Sequence, residues 1–347
     1  MISLPNALFD IFHPDLEVMS TQHSPLTVSV TREIVESQHL VDCAVMSRDG
    51  LEMSFGDIDR AVIARSSLKP IQVLPLVSSG AADAFGFTDE DIALAAASHS
   101  GEPRHIERVR SMLDKIGLDE TVLECGATRT IGEEAADVIL SSGQQFQRIH
   151  NCCSGKHTGF LAIARHLNVD PAGYIQPEHP VQGLITRTVA MFTGVDLSTQ
   201  VPGIDGCGIP TFGIPLSNLA LSMVYLNTPS LVSGQDDATA AACRRVVDAL
   251  SANPYWISGE GRDEVALSAR ATETHVAKIG AEGVFMASLP ERGLGVALKA
   301  RDGAKRAASR AIEVILEELG ALSPAAIDPM VTNADGTVVG TMDVSWS

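Results

Sequence analysis

Val41-Asp42-Cys43-Ala44-Val45-Met46-Ser47-Arg48-Asp49-Gly50-Leu51-Glu52-Met53-Ser54-Phe55 reads as two strands around a tight turn. The apolar Val41–Met46 run and the Leu51–Phe55 run flank Arg48-Asp49-Gly50, the composition of a hairpin turn. Upstream, Val28, Val30, Ile34 and Val35 extend the pattern back to Leu26, so two or three antiparallel strands open the fold. Downstream the period changes. From about residue 66 to 252 the chain is mostly helical, with a capping-box-like Thr88-x-x-Asp91. A helix begun by Pro103 carries Ile106, Val109, Leu113 and Ile116 on one face, and Gly117 should stop it. Further helices are expected near 156–168, 181–193, 215–226 and 236–251. Strands return at His275–Lys278, Gly283–Leu289 and Leu294–Ala300, with Pro290-Glu291-Arg292-Gly293 as a turn. Ala304–Leu319 is an amphipathic helix, and Asn333–Val344 reads as a short hairpin around Asp335-Gly336.

The order is therefore β, then mostly α, then β and α. One antiparallel sheet built from both chain ends, with a helical insertion between, explains it better than two sequential domains. The expected fold class is α/β (α+β). A single domain should span 25–347, with its sheet from about 26–60 and 270–345 and a helical lobe at about 66–252. Residues 1–24 read as a separate N-terminal arm.

The 347 residues, 45% of them hydrophobic and 20% charged, suffice for a large core without staples. Against 25 Lys+Arg stand 43 Asp+Glu, a formal charge of −18. Such a surface repels nucleic acid and anionic membranes at long range. No apolar run approaches a membrane span, and the N-terminal stretch has no basic residue before Arg32, as a secretory signal would require. The cytoplasm is the expected location. The six cysteines are too few and too irregular for a disulfide framework, so reduced thiols are the default and some could bind metal.

Four constellations can carry chemistry. Ser66-Ser67-Leu68-Lys69 is a Ser-x-x-Lys, which at a helix start places an amine one turn from a hydroxyl, a nucleophile with its base. Pro70 confines Lys69 to the first turn, so Ser66 should sit at or just before the helix start; an ordinary cap with a solvated lysine has the same spacing. Ser98-His99-Ser100-Gly101-Glu102-Pro103 gathers polar groups where an apolar helix stops, as a pocket wall or as a plain helix cap with its loop. In Asn151-Cys152-Cys153-Ser154-Gly155-Lys156-His157, Cys153 and Lys156 are i, i+3 at a helix start, and Cys207 lies in the Gly-flanked Asp205-Gly206-Cys207-Gly208. Two thiolates and a third donor could hold Zn²⁺ with a position left for water. Buried cysteines also serve as small hydrophobes, and a Cys153/His157 hydrolase is a further reading. Lys278-Ile279-Gly280-Ala281-Glu282-Gly283 puts a lysine at a strand end, where desolvation can lower its pKa, or where it is simply an edge charge.

In that order, and together with Arg65 and the Gln72-Val73-Leu74-Pro75-Leu76 run, these motifs closely resemble the Rhizobium-type L-asparaginase family (asparaginase II, class 3) from about Leu26 to Gly340. The resemblance implies a serine β-lactamase/penicillin-binding-protein-like fold and hydrolysis of L-asparagine to L-aspartate and ammonia. Ser66 would be the nucleophile with Lys69 as its base, and Ser98 with Lys278 a second serine–lysine pair. Arg65, His99, Asp205, Gly280 and Glu282 would bind substrate, Asp205 as partner of its α-amino group. Cys153, Lys156 and Cys207 would form a zinc site that orients substrate. β-Lactamase-like relatives carry Lys-Thr-Gly on the corresponding strand; Ile279 here replaces the hydroxyl residue, which argues against a β-lactam substrate. A homodimer is the common outcome for soluble enzymes of this kind. The rivals are a glutaminase or another serine amidohydrolase, and a non-catalytic zinc-dependent amino-acid-binding protein.

Overall fold

Alternating apolar residues at both ends of the chain build one eight-stranded antiparallel sheet in the computed structural model, which describes residues 24–325 and 330–346. The opening strands are β1 (Leu26–Thr31), β2 (Val35–Ser47) and β3 (Gly50–Phe55). Four short strands, β4 (Ala61–Ile63), β5 (Gly203–Ile204), β6 (Pro210–Thr211) and β7 (Gly213–Pro215), make two separate pairs. The closing strands are β8 (Val276–Gly280), β9 (Val284–Leu289), β10 (Leu294–Ala300), β11 (Met330–Thr332) and β12 (Val338–Ser345). The order is β11-β12-β1-β2-β10-β9-β8, with β3 also on β2. β2 is 13 residues long and serves β1 with its first half and β3 with its second, while β10 lies along its other edge. The sheet of mixed chain-end origin is thus present as expected. The arm expected at 1–24 falls, but for Ser24, outside the described residues.

Strand periodicity sorts the core into two layers. Cys43, Val45, Phe285, Ala287, Val296 and Leu298 face the Lys305–Glu318 helix, whose Ala308, Ile312 and Ile315 complete that cluster. Ala44, Met286 and Ala297 face the helical lobe through Leu219 and Met223 of the Leu216–Asn227 helix. That helix approaches so closely that a Cβ on Gly295 would lie 2.1 Å from the Ala220 carbonyl oxygen. In β8, Ala277 and Ile279 belong to the first layer and Val276 to the second. Lys278 and Gly280 therefore project toward the helical lobe.

Helices occur at Ser154–His166, Pro180–Thr193, Leu216–Asn227 and Asp237–Ala252, close to their expected spans. The Thr88–Asp91 capping box is formed in both directions. Gly117, at φ +68°, follows the end of the Pro103–Lys115 helix. Among the described residues, the helices of eight residues or more with no counterpart in the sequence reading are Glu133–Ser141 and Asp263–Arg270. No helix among the described residues is long and apolar enough to cross a membrane.

Candidate active site

Ser66 sits where the chain leaves the sheet. Arg65–Leu68 is a 3₁₀ turn that passes into the four-residue helix Lys69–Gln72, with Pro70 in its first turn. Arg65 adopts φ +52°, a strained value for a residue with a side chain, and its guanidinium pairs with Asp205 at 2.5 Å. Ser67 is fully buried and donates its hydroxyl to the Ala64 carbonyl at 2.6 Å. Ser66 is half-buried, and among the described residues its hydroxyl has no hydrogen-bond partner. Strand β8 walls this turn: a Cβ on Gly280 would stand 2.7 Å from the Ala64 oxygen and 3.1 Å from the Ser67 nitrogen. Gly280 is thus a close-approach residue, and Lys278, two residues back, lies on the same face.

Lys69 is 1% exposed. Its ammonium donates to the Ala97 carbonyl, to Ser98 Oγ at 2.9 Å and to Cys153 Sγ at 3.2 Å. The hydroxyl that Lys69 bonds is therefore that of Ser98, not Ser66. A buried ammonium must fill all three N–H positions, and these acceptors are the ones in reach. Lys278, also 1% exposed, bonds not to Ser98 but to Glu264 Oε1 at 2.7 Å and to the Ile279 carbonyl at 2.9 Å. Burial lowers the pKa of Lys278, helped by the nearby Lys69 charge and opposed by Glu264. Glu264 escaped the sequence reading because its helix did, and nothing in Arg262-Asp263-Glu264 singles out one carboxylate.

The start of the Ser154–His166 helix brings the thiols in. Asn151 fixes the approach, accepting from the Cys153 N–H at 2.9 Å and donating to the Cys125 carbonyl at 2.7 Å. Lys156 Nζ reaches Cys207 Sγ at 3.0 Å, and the Cys207 thiol lies 3.6 Å from Asp205 Oδ2. Hydrogen bonds from Cys152 and Cys207, outweighing burial and reinforced by Lys69 and Lys156, hold Cys153 well below an ordinary thiol. The Cys207 thiol is pushed up by its bond to Cys153 and by burial. Burial depresses Lys156, but the charges of Cys207, Cys153 and Asp205 win and raise it. Burial raises Asp205, yet Lys156 and Arg65 hold it below its usual value. Ser98, Lys69 and Cys153 thus form one hydrogen-bonded group, and Lys156, Cys207, Asp205 and Arg65 a second beside it.

The donor set suits a soft divalent cation. Among the described residues no cluster of three His, Cys, Asp or Glu could hold a metal. Two sulfurs and one lysine nitrogen nonetheless converge, and a thiophilic ion is the match for such donors. Lys156 as an ammonium supplies the positive charge that the thiols attract, so metal binding would require its proton to leave.

Two expectations change. His99 is fully buried, and both ring nitrogens are used: Nδ1 accepts from the Gly101 N–H at 3.1 Å, so Nε2 donates to Ser154 Oγ at 2.8 Å. It braces the loop from within instead of facing a ligand, because polar atoms in the interior must be paired. His157 turns to Tyr174 Oη at 2.7 Å and does not bond Cys153, which removes the Cys/His dyad. Glu282 lies at the outer rim: a cleft of about 570 Å³ beside the Arg65–Asp205 pair is lined by Arg60, Arg65, Gly206, Glu282, Lys299 and Arg301 among others.

The sequence matches the family described as L-asparaginase II over residues 28–344. The chain belongs to the L-asparaginase II family. A search of curated proteins gave no match. Among solved structures this family member overlaps Mglu crystallised in 4.3 M NaCl at 11% identity and TM-score 0.39, covering 82% of this chain and 62% of that one. The chain thus spans under two thirds of Mglu's length. A β-lactamase from Mycobacterium bovis gives 15% identity and TM-score 0.40, with 81% and 95% covered. A probable glutaminase from Bacillus subtilis gives 12% and 0.38, with 81% and 89% covered. Overlaps this distant decide nothing about the reaction of the L-asparaginase II family member.

Proposed function

We propose that the protein is an L-asparaginase that hydrolyses L-asparagine to L-aspartate and ammonia through a Ser66 acyl-enzyme. The observation that carries the reading is the close approach of β8, which bears buried Lys278 on that face, to the turn that holds half-buried Ser66 and leads into buried Lys69. Ser66 Oγ bonds to the side-chain amide carbon and passes its proton to Lys69, one turn away, which serves as a base only after its ammonium has given up a proton. The carbon–nitrogen bond then breaks as that proton is returned to the departing ammonia. Water attacks the acyl carbon, its proton restores the Ser66 hydroxyl, and aspartate leaves. Ser98 links to Lys69 and carries protons between the two walls of the site, with Lys278 on the β8 side. Arg65 and Asp205 engage the substrate's carboxylate and α-amino group, and exchange partners as they do so. Cys153, Lys156 and Cys207 would hold zinc, which when bound supplies a fixed positive charge that helps orient the substrate. The enzyme is expected to act in the cytoplasm as a homodimer, which light scattering after size exclusion checks.

The test is ammonia release from L-asparagine and L-glutamine beside a chromogenic β-lactam, with and without a chelator, and with zinc content measured on wild type, Cys153→Ser and Cys207→Ser. Asparagine should turn over, glutamine weakly or not at all, and the β-lactam not at all; each cysteine variant should lose the metal. No ammonia from either amide would end the proposal, and faster glutamine turnover would replace it by a glutaminase. Bound amino acid with zinc but no turnover would instead favour a binding protein.

A further inference from the structure

Lys278 and Glu264 form a fully enclosed ion pair, with both side chains 1% exposed. Glu264 comes from the Asp263–Arg270 helix, whose Leu267 is anchored in the core layer beneath the sheet. Its Oε1 accepts from Lys278 Nζ at 2.7 Å and from the Ile279 N–H at 3.3 Å. Its Oε2 is buried with no partner among the described residues. A pair kept only for stability would gain by satisfying that oxygen or by giving way to apolar side chains. Lys278 fills two of its three N–H positions, on Glu264 and on the Ile279 carbonyl, whereas Lys69 fills all three. The nitrogen with capacity left is the one on the β8 wall against the Ser66 turn.

We propose that Glu264 is a positioning residue: it fixes Lys278 on that wall and supplies the negative charge against which the lysine holds its proton. This rests on the asparaginase reading given above. The charged groups facing Lys278 are Glu264, Lys69 and Arg262. Burial, Lys69 and Arg262 all disfavour the ammonium, and Glu264 alone supports it. Without the carboxylate the lysine therefore releases its proton at lower pH, and its chain is free to swing from the turn.

Glu264→Gln keeps shape and removes charge; Glu264→Asp keeps charge and withdraws it by one methylene. Steady-state kinetics across pH on asparagine are read beside ¹⁵N-lysine NMR of the Nζ titration, assigned with Lys278→Arg. In Glu264→Gln, kcat should fall about 10- to 100-fold with KM within about twofold, and the limb of the pH profile set by Lys278 should move at least about one unit toward acid. The NMR midpoint should move the same way. Glu264→Asp should lose rate while its midpoint stays with the wild type. A folded Glu264→Gln with wild-type profile and midpoint overturns the proposal; if Glu264→Gln does not fold, wild-type kcat in Glu264→Asp overturns it. Should the wild type release no ammonia from any amide, the asparaginase reading falls, and the NMR midpoint still decides whether Glu264 governs Lys278.

Discussion

Two adjacent serines with the same covalent chemistry are given opposite situations by a single turn. Ser67 points inward and closes on the Ala64 carbonyl, while Ser66 is half-buried with its hydroxyl unpaired among the described residues. Ser66→Ala should therefore reduce ammonia release by about 10³-fold or more without loss of folded structure. Ser67→Ala should keep most of the activity and lose about 1 kcal/mol of stability in urea unfolding, the value of one buried hydrogen bond. Equal losses of activity in both variants would mean that the turn, not the Ser66 hydroxyl, matters. The Ser-x-x-Lys spacing made Ser66 legible in the sequence. It could not show which hydroxyl Lys69 would bond, because Ser98 lies 29 residues further on and reaches it only through the fold.

At the level of elements, the site is a contact between a strand and a turn. Gly280 lets β8 run against residues 64–67, with no room for a methyl group before the Ala64 oxygen. Gly280→Ala should force the turn away from β8, lowering stability by about 1–3 kcal/mol as overpacking does. Because Ser66 rides on that turn, kcat should fall by more than the unfolded fraction explains. Comparing the rate per folded molecule with the urea midpoint checks this; a rate that merely tracks the folded fraction contradicts it. Gly280 was read from the sequence as a substrate-binding position, and its observed part is to permit close packing of the element that bears Lys278. The Asp263–Arg270 helix, which brings Glu264, was invisible because eight residues give too little periodicity to register.

For the whole molecule, interior imidazoles set the response to acid. Burial lowers the pKa of His99 and His157 well below 6.5, and that of His105 and His275 to a lesser degree. Below about pH 6.5 the unfolded chain then binds protons that the folded chain refuses, so stability rises with pH and is lost as pH falls through the unfolded value. Each such group contributes a slope of up to about 1.4 kcal/mol per pH unit until its folded pKa is reached. Urea midpoints should be level from pH 8 to 7 and drop steeply toward pH 5.5, and His99→Gln should flatten the fall even if it lowers stability at pH 8. A midpoint unchanged between pH 8 and 5.5 would contradict the burial of these rings as neutral species.

Local order alone determined a good deal of this protein. Period-2 runs at both ends and period-3.6 runs between them settle the main strands of the sheet and most of the longer helices, since each face must find an apolar partner whatever the final packing. Five short motifs in order settle the family. Tertiary structure decided the pairing of polar groups: Lys69 with Ser98 and Cys153, Lys278 with Glu264, Arg65 with Asp205, His99 with Ser154. The reason is desolvation. A buried ammonium, carboxylate or imidazole must take whatever partner the fold delivers within about 3 Å, and sequence spacing carries no record of which remote segment arrives there.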